Sequence, residues 1–224
     1  MSGRTIAIGD IHGCVTAFDA LLNELKLQKD DQLITLGDYV DRGPDSRAVL
    51  DRMIALKDSV QLIALRGNHE LMMLRARDSM GEERFWRHYG GDQTLNSYAL
   101  DHRVGRLNDV PDAHWQFMAA YCRDWHETET HIFVHAGVDP FLNLKDQDEQ
   151  SLFWLPSIDP ESHHSGKTVI CGHTEQRDGW PRNLGHTVFI DTHAYSGGWL
   201  TGLDVNTGEF WQANSLGEVR KASL

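Results

Sequence analysis

Cysteine is scarce and unpaired in this chain. Cys14, Cys122 and Cys171 are the three present, an odd number at spacings that suit neither a disulfide framework nor a cysteine-bound zinc. Long apolar runs are missing as well. No window approaches the roughly 18 residues of a membrane span, and the run after Met1-Ser2-Gly3-Arg4 is too brief for the apolar core of a signal peptide. A protein of the reducing cytoplasm with no membrane partner is the expectation. Basic charge is also in short supply. Lys and Arg number 21 against 33 Asp and Glu, a net −12, whereas a nucleic-acid surface needs a basic patch. The acid excess suits bound cations instead, because clustered carboxylates are their natural ligands. Repeats, low-complexity tracts and linkers are absent too. With 224 residues, 40% of them hydrophobic, the chain is expected to form a single globular domain over 1–224.

Periodicity outlines the elements. Thr5–Ile8, Gln32–Leu36 and Val60–Leu65 read as buried strands. Between them, 17–27 carries Leu21, Leu22 and Leu25 at helical spacing, and Ser46–Leu56 sets Val49, Leu50, Met53 and Ile54 on one face. Strand and helix alternate here, which implies parallel pairing with helices on the sheet. A mainly helical insertion is expected around 71–125, with Phe85, Trp86, Tyr89, Trp115 and Phe117 as a covering layer. After the strand His131–Val134, residues 139–167 are polar and broken by Pro140, Pro156 and Pro160, so a long surface segment is expected. Strands return at Thr168–Cys171, His186–Ile190, Trp199–Val205 and Gly208–Ala213, the last two reading as a hairpin across Asn206-Thr207. The fold class is α/β (α+β), either one mixed sheet or two sheets face to face, flanked by helices.

Five strands end in metal-ligand residue types. They give Gly9-Asp10-Ile11-His12-Gly13, Gly37-Asp38-Tyr39-Val40-Asp41-Arg42-Gly43, Arg66-Gly67-Asn68-His69-Glu70, His135-Ala136-Gly137 and Gly172-His173-Thr174. Strand C-terminal ends are where α/β crevices open. Asp10 and His12, two apart on an extended backbone, would face one side. Asp38 adds a carboxylate, and His135 and His173 add imidazoles. Imidazole with carboxylate selects Mn, Fe or Zn over Ca or Mg. So many such groups in one crevice would be costly to desolvate without cations. More ligands than one ion needs points to two ions, one carboxylate bridging them, as a clamp for attack on phosphorus. Asp-X-His alone is a weak signal; five blocks in order, each after a strand, are specific.

The blocks "GDIHG", "GDYVDRG", "RGNHE", "HAG" and "GHT" resemble the signatures of the phosphoprotein phosphatase family of metallophosphatases. The ending "IDT…GGWLTGLDV" resembles its bacterial and phage members, and the likeness runs over about residues 5–205. The resemblance implies a calcineurin-like metallophosphoesterase β-sandwich flanked by helices, with a dinuclear centre, most often Mn but also Fe/Zn. By motif match, Asp10 and His12 would hold one metal, Asp38 would bridge, and Asn68, His135 and His173 would hold the other. A metal-bridging hydroxide would attack phosphorus directly. His69 would protonate the leaving alkoxide, with Asp41 paired to it and favouring its charged form. Arg42 would grip the phosphate bidentately, with Arg66 a lesser candidate. Glu70 reads as a helix N-terminal acid.

Two departures from that family stand out. A second phosphate-gripping arginine usually follows a tryptophan in the middle segment, but after Trp154 come Leu155, Pro156 and Ser157. Arg177 and Arg182 are the nearest substitutes, and both read as surface residues. His193 stands in Thr192-His193-Ala194, where glycine is commoner, and reads as a loop histidine. Three functions compete. The first is a serine/threonine, or dual-specificity, protein phosphatase acting on a phosphorylated protein or small phosphoester. The second is a dinucleoside tetraphosphate hydrolase, whose blocks resemble "GDLVARG" and "LGNHD"; Asp41 and "RGNHE" favour the phosphatase. The third is a non-catalytic binding protein on the same fold, which full retention of the ligand types disfavours.

Overall fold

The structure is a computed structural model that describes residues 3–99 and 103–224. Strands β1 (Thr5–Ile8), β2 (Gln32–Thr35) and β3 (Gln61–Ala64) pair in parallel. Helices α1 (Val15–Leu25) and α2 (Ser46–Leu56) make the crossovers. Asp45 caps α2, its side chain accepting from Ala48 N at 2.9 Å. Then come α3 (Asn68–Arg75), α4 (Met80–Trp86), α5 (Asp92–Ser97) and α6 (Asp112–Gln116). Strands β4 (Trp125–Glu127) and β5 (His131–Val134) precede α7 (Glu149–Phe153). The chain closes with β6 (Thr168–Cys171), β7 (Arg182–Asn183), β8 (Thr187–Phe189), β9 (Leu200–Asp204), β10 (Glu209–Ala213) and β11 (Val219–Ser223).

Of the two arrangements left open by the sequence, the structure is the two-sheet one. One sheet has the order β11-β10-β9-β1-β2-β3 and the other β4-β5-β6-β8-β7. Strand alternation explains why they stack. In β1, Ala7 faces the interior between the sheets with Ile34, Phe133, Ile170, Val188, Leu203 and Phe210. Ile6 and Ile8 face the other way, onto Phe18, Leu21, Leu25, Val49, Leu50 and Met53 of the helices. On the far side of the second sheet, Ile132, Val134, Val169 and Phe189 pack under Leu152 and Phe153 of α7. Three layers of core thus hold two sheets in register, with helices outside. No helix among the described residues is long and apolar enough to cross a membrane.

Several boundaries differ from expectation, each for a local reason. Helix begins at Asn68, not Leu71, because extended Gly67 (φ −101°, ψ 175°) caps it and Glu70 reaches back to Gly67 N. The expected surface segment 139–167 contains α7, started by Asp148, whose side chain accepts from Ser151 N. β4, β7 and β11 were not foreseen; each lies at a sheet edge, where one-sided pairing leaves little sequence pattern. The insertion around 71–125 is mainly helical where described, with irregular stretches at 103–106 and 122–124, and residues 100–102 within it lie outside the described residues. Between α4 and α5 the chain bends at Gly90 (φ 114°), and the Gly90 carbonyl accepts from Arg42 N at 3.3 Å.

Phe133 is fully buried between the sheets. Phe133→Ala should therefore lower unfolding free energy by about 3–5 kcal/mol in urea titrations. Met80→Ala, at an 83% exposed position, should change it by less than about 0.5 kcal/mol. Similar losses at both would contradict the layered core.

Candidate functional site

Both sheets send their polar loops to one crevice. Asp10 and His12 follow β1; Asp38, Asp41 and Arg42 follow β2; Asn68, His69 and Glu70 form the first turn of α3 beyond β3. His135 follows β5, His173 follows β6, and Asp191 follows β8. All are C-terminal ends of parallel strands. Asp10, His12, Asp38, Asp41, Asn68, His69, Glu70, His135 and Asp191 are buried, while Arg42 and His173 are half-buried.

Asp38 is the centre of this group. Its Oδ2 lies 3.3 Å from His12 Nε2 and 3.9 Å from His69 Nε2, and its Oδ1 lies 3.5 Å from His135 Nε2. Two sets of potential metal donors share it: His12, Asp38 and His69, and Asp38, His135 and His173. Asn68 Oδ1 joins the second at 3.0 Å from His135 Nε2. Asp10 belongs to neither set; its carboxylate accepts from His173 N at 3.0 Å.

The imidazoles are anchored on their outer nitrogens. His12 Nδ1 meets Val40 O at 2.9 Å, His135 Nδ1 meets Leu36 O at 2.9 Å, and His173 Nε2 meets Trp154 O at 3.1 Å. A ring that donates one N–H to a carbonyl is neutral and keeps a lone pair on its other nitrogen, the state a metal ligand needs. Burial acts the same way, lowering the pKa to about 3 at His135 and about 4 at His173, and moving His12 well below its ordinary value. The carboxylates move oppositely. Burial first, then neighbouring carboxylates, raises Asp10 well above its usual range, and burial lifts Asp191 to about 7. Lone pairs from imidazoles and mutually repelling carboxylates in one dry crevice are a donor set that divalent cations fit.

Glu70 builds the floor. Its Oε2 accepts from Asp38 N and Gly67 N at 2.8 Å, and its Oε1 from Tyr39 N at 2.8 Å and Val40 N at 3.2 Å. Burial and the Asp38 charge push its pKa to about 8 against the pull of those donors. A proton placed on Glu70 would nonetheless meet donors at all four contacts. Close approach also requires glycine: a Cβ at Gly67 would strike Asp38 Oδ1, and one at Gly172 would strike Asp10 Oδ1.

His69 is fixed by a buried network. Its Nδ1 lies 2.7 Å from Asp41 Oδ2, and its Nε2 is buried without a hydrogen-bond partner. Asp41 also accepts from Trp86 Nε1 at 2.8 Å and Thr94 Oγ1 at 2.7 Å. The expectation that Asp41 keeps His69 charged needs correcting. Burial wins over the nearby Asp38 charge and lowers the His69 pKa to about 4. Trp86 and Thr94 belong to the segment expected to be a mere covering layer, and they hold the acid that orients His69. Asp191 and Glu175 were also missed. Asp191 carried a signal, a lone Asp after a strand, whereas Glu175 carried none.

Two further expectations change. His12 has φ 44°, so it leaves β1 in a left-handed turn and does not project along an extended strand beside Asp10. Asn68 and His69 diverge on a helical first turn and not on a strand end. Arg66 points away from the crevice, to Asp124 Oδ1 at 2.8 Å and Cys122 O. Arg182 donates to Ile158 O, and Arg177 is 79% exposed and bonded to Glu175. Arg42 does reach the crevice, its Nη1 3.2 Å from His12 Nε2.

The family described as calcineurin-like phosphoesterase matches residues 3–202 of this chain. The chain is 42% identical over 208 residues to the serine/threonine-protein phosphatase 1 of Salmonella typhimurium, spanning 87% of this chain and 88% of that protein. It is 28% identical to an asymmetrical bis(5'-nucleosyl)-tetraphosphatase of Bacillus cereus, spanning 88% of each. A cold-active protein-tyrosine phosphatase from a psychrophilic Shewanella shares the fold, with a TM-score of 0.68 at 17% identity over 99% of this chain and 80% of that one.

Glu70→Gln would turn an amide NH2 toward backbone donors. Hydrogen bonds to a charged group contribute about 1.5–3 kcal/mol each, and two would be lost. A loss of about 3–5 kcal/mol in chemical denaturation is expected. A neutral result would show that Glu70 does not organise the Asp38 loop.

Proposed function

The chain belongs to the calcineurin-like phosphoesterase family and is a metallophosphoesterase, and from that premise we propose that it is a serine/threonine protein phosphatase. The observation that carries this reading is the buried His69–Asp41 pair. A serine or threonine alkoxide is a poor leaving group and needs a proton as its bond to phosphorus breaks. A nucleotide leaving from a polyphosphate is a far better leaving group and makes little demand for an acid. The 42% identity to a serine/threonine phosphatase over most of both chains supports the same choice.

In this reading Asp10, His12, Asp38, Asn68, His135 and His173 would hold two divalent cations, Asp38 belonging to both candidate donor sets. Manganese suits this mixture of imidazole and carboxylate, as do iron and zinc. When bound, such a pair lowers the pKa of water enough to supply a nucleophile near neutral pH and draws charge from the phosphoryl oxygens. The protein's own groups do the rest. Arg42 grips two phosphoryl oxygens through its planar fork. Asp41 holds the Nδ1–H of His69, which leaves Nε2 toward the crevice. An incoming phosphate dianion favours the imidazolium, so His69 takes up a proton with the substrate and passes it from Nε2 to the leaving alkoxide. Trp86 and Thr94 keep Asp41 from rotating away.

The competing reading, dinucleoside polyphosphate hydrolysis, is favoured by the Bacillus cereus relative. Rates on a phosphoserine peptide, a phosphotyrosine peptide and a dinucleoside tetraphosphate, measured side by side with Mn-loaded protein, decide between them. The phosphoserine peptide should be the best substrate, and chelation should abolish turnover. A clear preference for the dinucleotide overturns the proposal. His69→Asn should lower kcat on the phosphoserine peptide by about 10²–10⁴-fold, with a much smaller loss on an aryl phosphate, whose leaving group needs little protonation. Both metals should stay bound in this variant; their loss would make His69 a ligand instead.

A further inference from the structure

Arg42 faces the crevice without the second arginine that the sequence pattern leads one to expect, yet its guanidinium is not loose. Three side chains from two other loops surround it. Glu175 Oε1 lies 3.4 Å from Arg42 Nη1, and Tyr195 donates its hydroxyl to the same oxygen at 2.7 Å. The Arg42 guanidinium carbon sits 4.7 Å from the centre of the Tyr195 ring, within cation–π range. His193 stacks on Tyr195, with centroids 4.8 Å apart and planes 17° from parallel. Its Nδ1 is buried, 3.4 Å from Glu175 Oε2, and has no hydrogen bond.

Glu175 joins these groups: one oxygen serves Arg42 and Tyr195, the other faces His193 and takes Arg177. His193 does this from a left-handed backbone, φ 64°, which favours glycine. A histidine kept in that conformation, with its ring stacked and its nitrogen turned to a carboxylate, is unusual for an idle loop residue. Beyond Tyr195 and Arg42 opens a cavity of about 520 Å³, also lined by Arg87, His88 and Gln93. Arg87 is already bonded to Glu83 and Asp92, so it is not a free second clamp.

We propose that Glu175, His193 and Tyr195 form a positioning cluster that holds the Arg42 guanidinium over the Tyr195 ring with its fork turned to the phosphate, in place of a second arginine. The proposal rests on Arg42 as the phosphate-gripping residue. It makes a lone guanidinium effective by removing its freedom, since a fork already held in place loses less entropy when phosphate arrives. Tyr195 supplies the platform, Glu175 fixes the edge of the fork nearest His12, and His193 backs the platform. None of the three touches the reacting atoms.

The test uses Mn-loaded full-length protein, p-nitrophenyl phosphate as substrate and inorganic phosphate as inhibitor. Tyr195→Ala should raise KM and the phosphate inhibition constant about tenfold, the size of a cation–π contact in a partly desolvated site, with kcat changed much less. Tyr195→Phe keeps the ring and should recover most of that loss. His193→Gly suits its backbone conformation, so it should fold at least as well as the parent and still raise KM. In an Arg42→Ala background, Tyr195→Ala should add nothing further. Unchanged KM and phosphate inhibition in Tyr195→Ala and His193→Gly would overturn the cluster. So would an equal effect of Tyr195→Ala with and without Arg42. If Arg42→Ala alone leaves phosphate inhibition intact, the reading of Arg42 itself is wrong and the cluster falls with it.

Discussion

The position of Asp38 governs the crevice, and Asp38 is placed by another carboxylate beneath it. Glu70 lies in the first turn of α3, yet it accepts from the backbone of three consecutive residues in the loop after β2, and from Gly67. One side chain thereby joins the ends of two neighbouring strands. The arrangement suits an anion, since every contact is a donor and a helix N-terminus adds partial positive charge. With the loop fixed, Asp38 meets His12, His69 and His135 and accepts from His69 N. Burying several carboxylates this closely is electrostatically unfavourable, as the upward shifts of Asp10, Asp191 and Glu70, caused first by desolvation and then by neighbouring carboxylates, record. That unfavourable charge is what gives the site its appetite for cations.

The crevice is also where the backbone departs from its comfortable regions. Among the described residues, seven non-glycine positions have positive φ, and six of them are His12, Asp38, Asp41, Arg42, His173 and His193. Each such conformation costs on the order of 1–3 kcal/mol and persists only where its surroundings over-determine it. Here the surroundings are the strand ends of two stacked sheets, whose positions are set by the interior from Ala7 to Phe210. A left-handed turn aims a side chain back over the strand it has just left. Several of them in succession let loops from separate strands converge on a space a few ångströms across. The rigidity of the sandwich and the strain of the loops are therefore parts of one design.

Most of the framework could be read from the sequence because it is local. The strand Thr5–Ile8 and the helix Ser46–Leu56 end where their apolar periodicity ends. The ligand blocks were legible because each follows such a strand. What escaped notice is non-local or conformational. Thr94 contacts Asp41 across 53 positions and Glu175 contacts Arg42 across 133, and no spacing rule reaches so far. The left-handed turns at His12 and Asp38 escaped because Asp and His, though enriched at positive φ, adopt it in only a small share of their positions. Arg66 misled for the opposite reason: it lies two residues before Asn68 in sequence, but it turns to Asp124 and not to the crevice. The downward shift of the His69 pKa escaped as well. A neighbouring carboxylate is visible in a motif, whereas the depth of burial that outweighs it is not.

Charge balance then links metal and substrate. The chain carries −12 overall, and Asp10, Asp38, Asp191 and Glu175 all lie at or beside the crevice. Against them, Arg42 is half committed to Glu175 before any ligand arrives. A phosphate dianion entering that field would be repelled, and in a poorly solvated crevice the repulsion is screened less than at the surface. Bound divalent cations would reverse the sign of the local field, so substrate affinity and metal occupancy would rise together. If Arg42 is the phosphate-gripping residue, it would take phosphoryl oxygens while Glu175 keeps its hold on the edge of the fork, since Glu175 is itself held by Tyr195 and Arg177. On this view the missing arginine is tolerable because metal charge supplies the attraction, and the remaining guanidinium has only to supply direction.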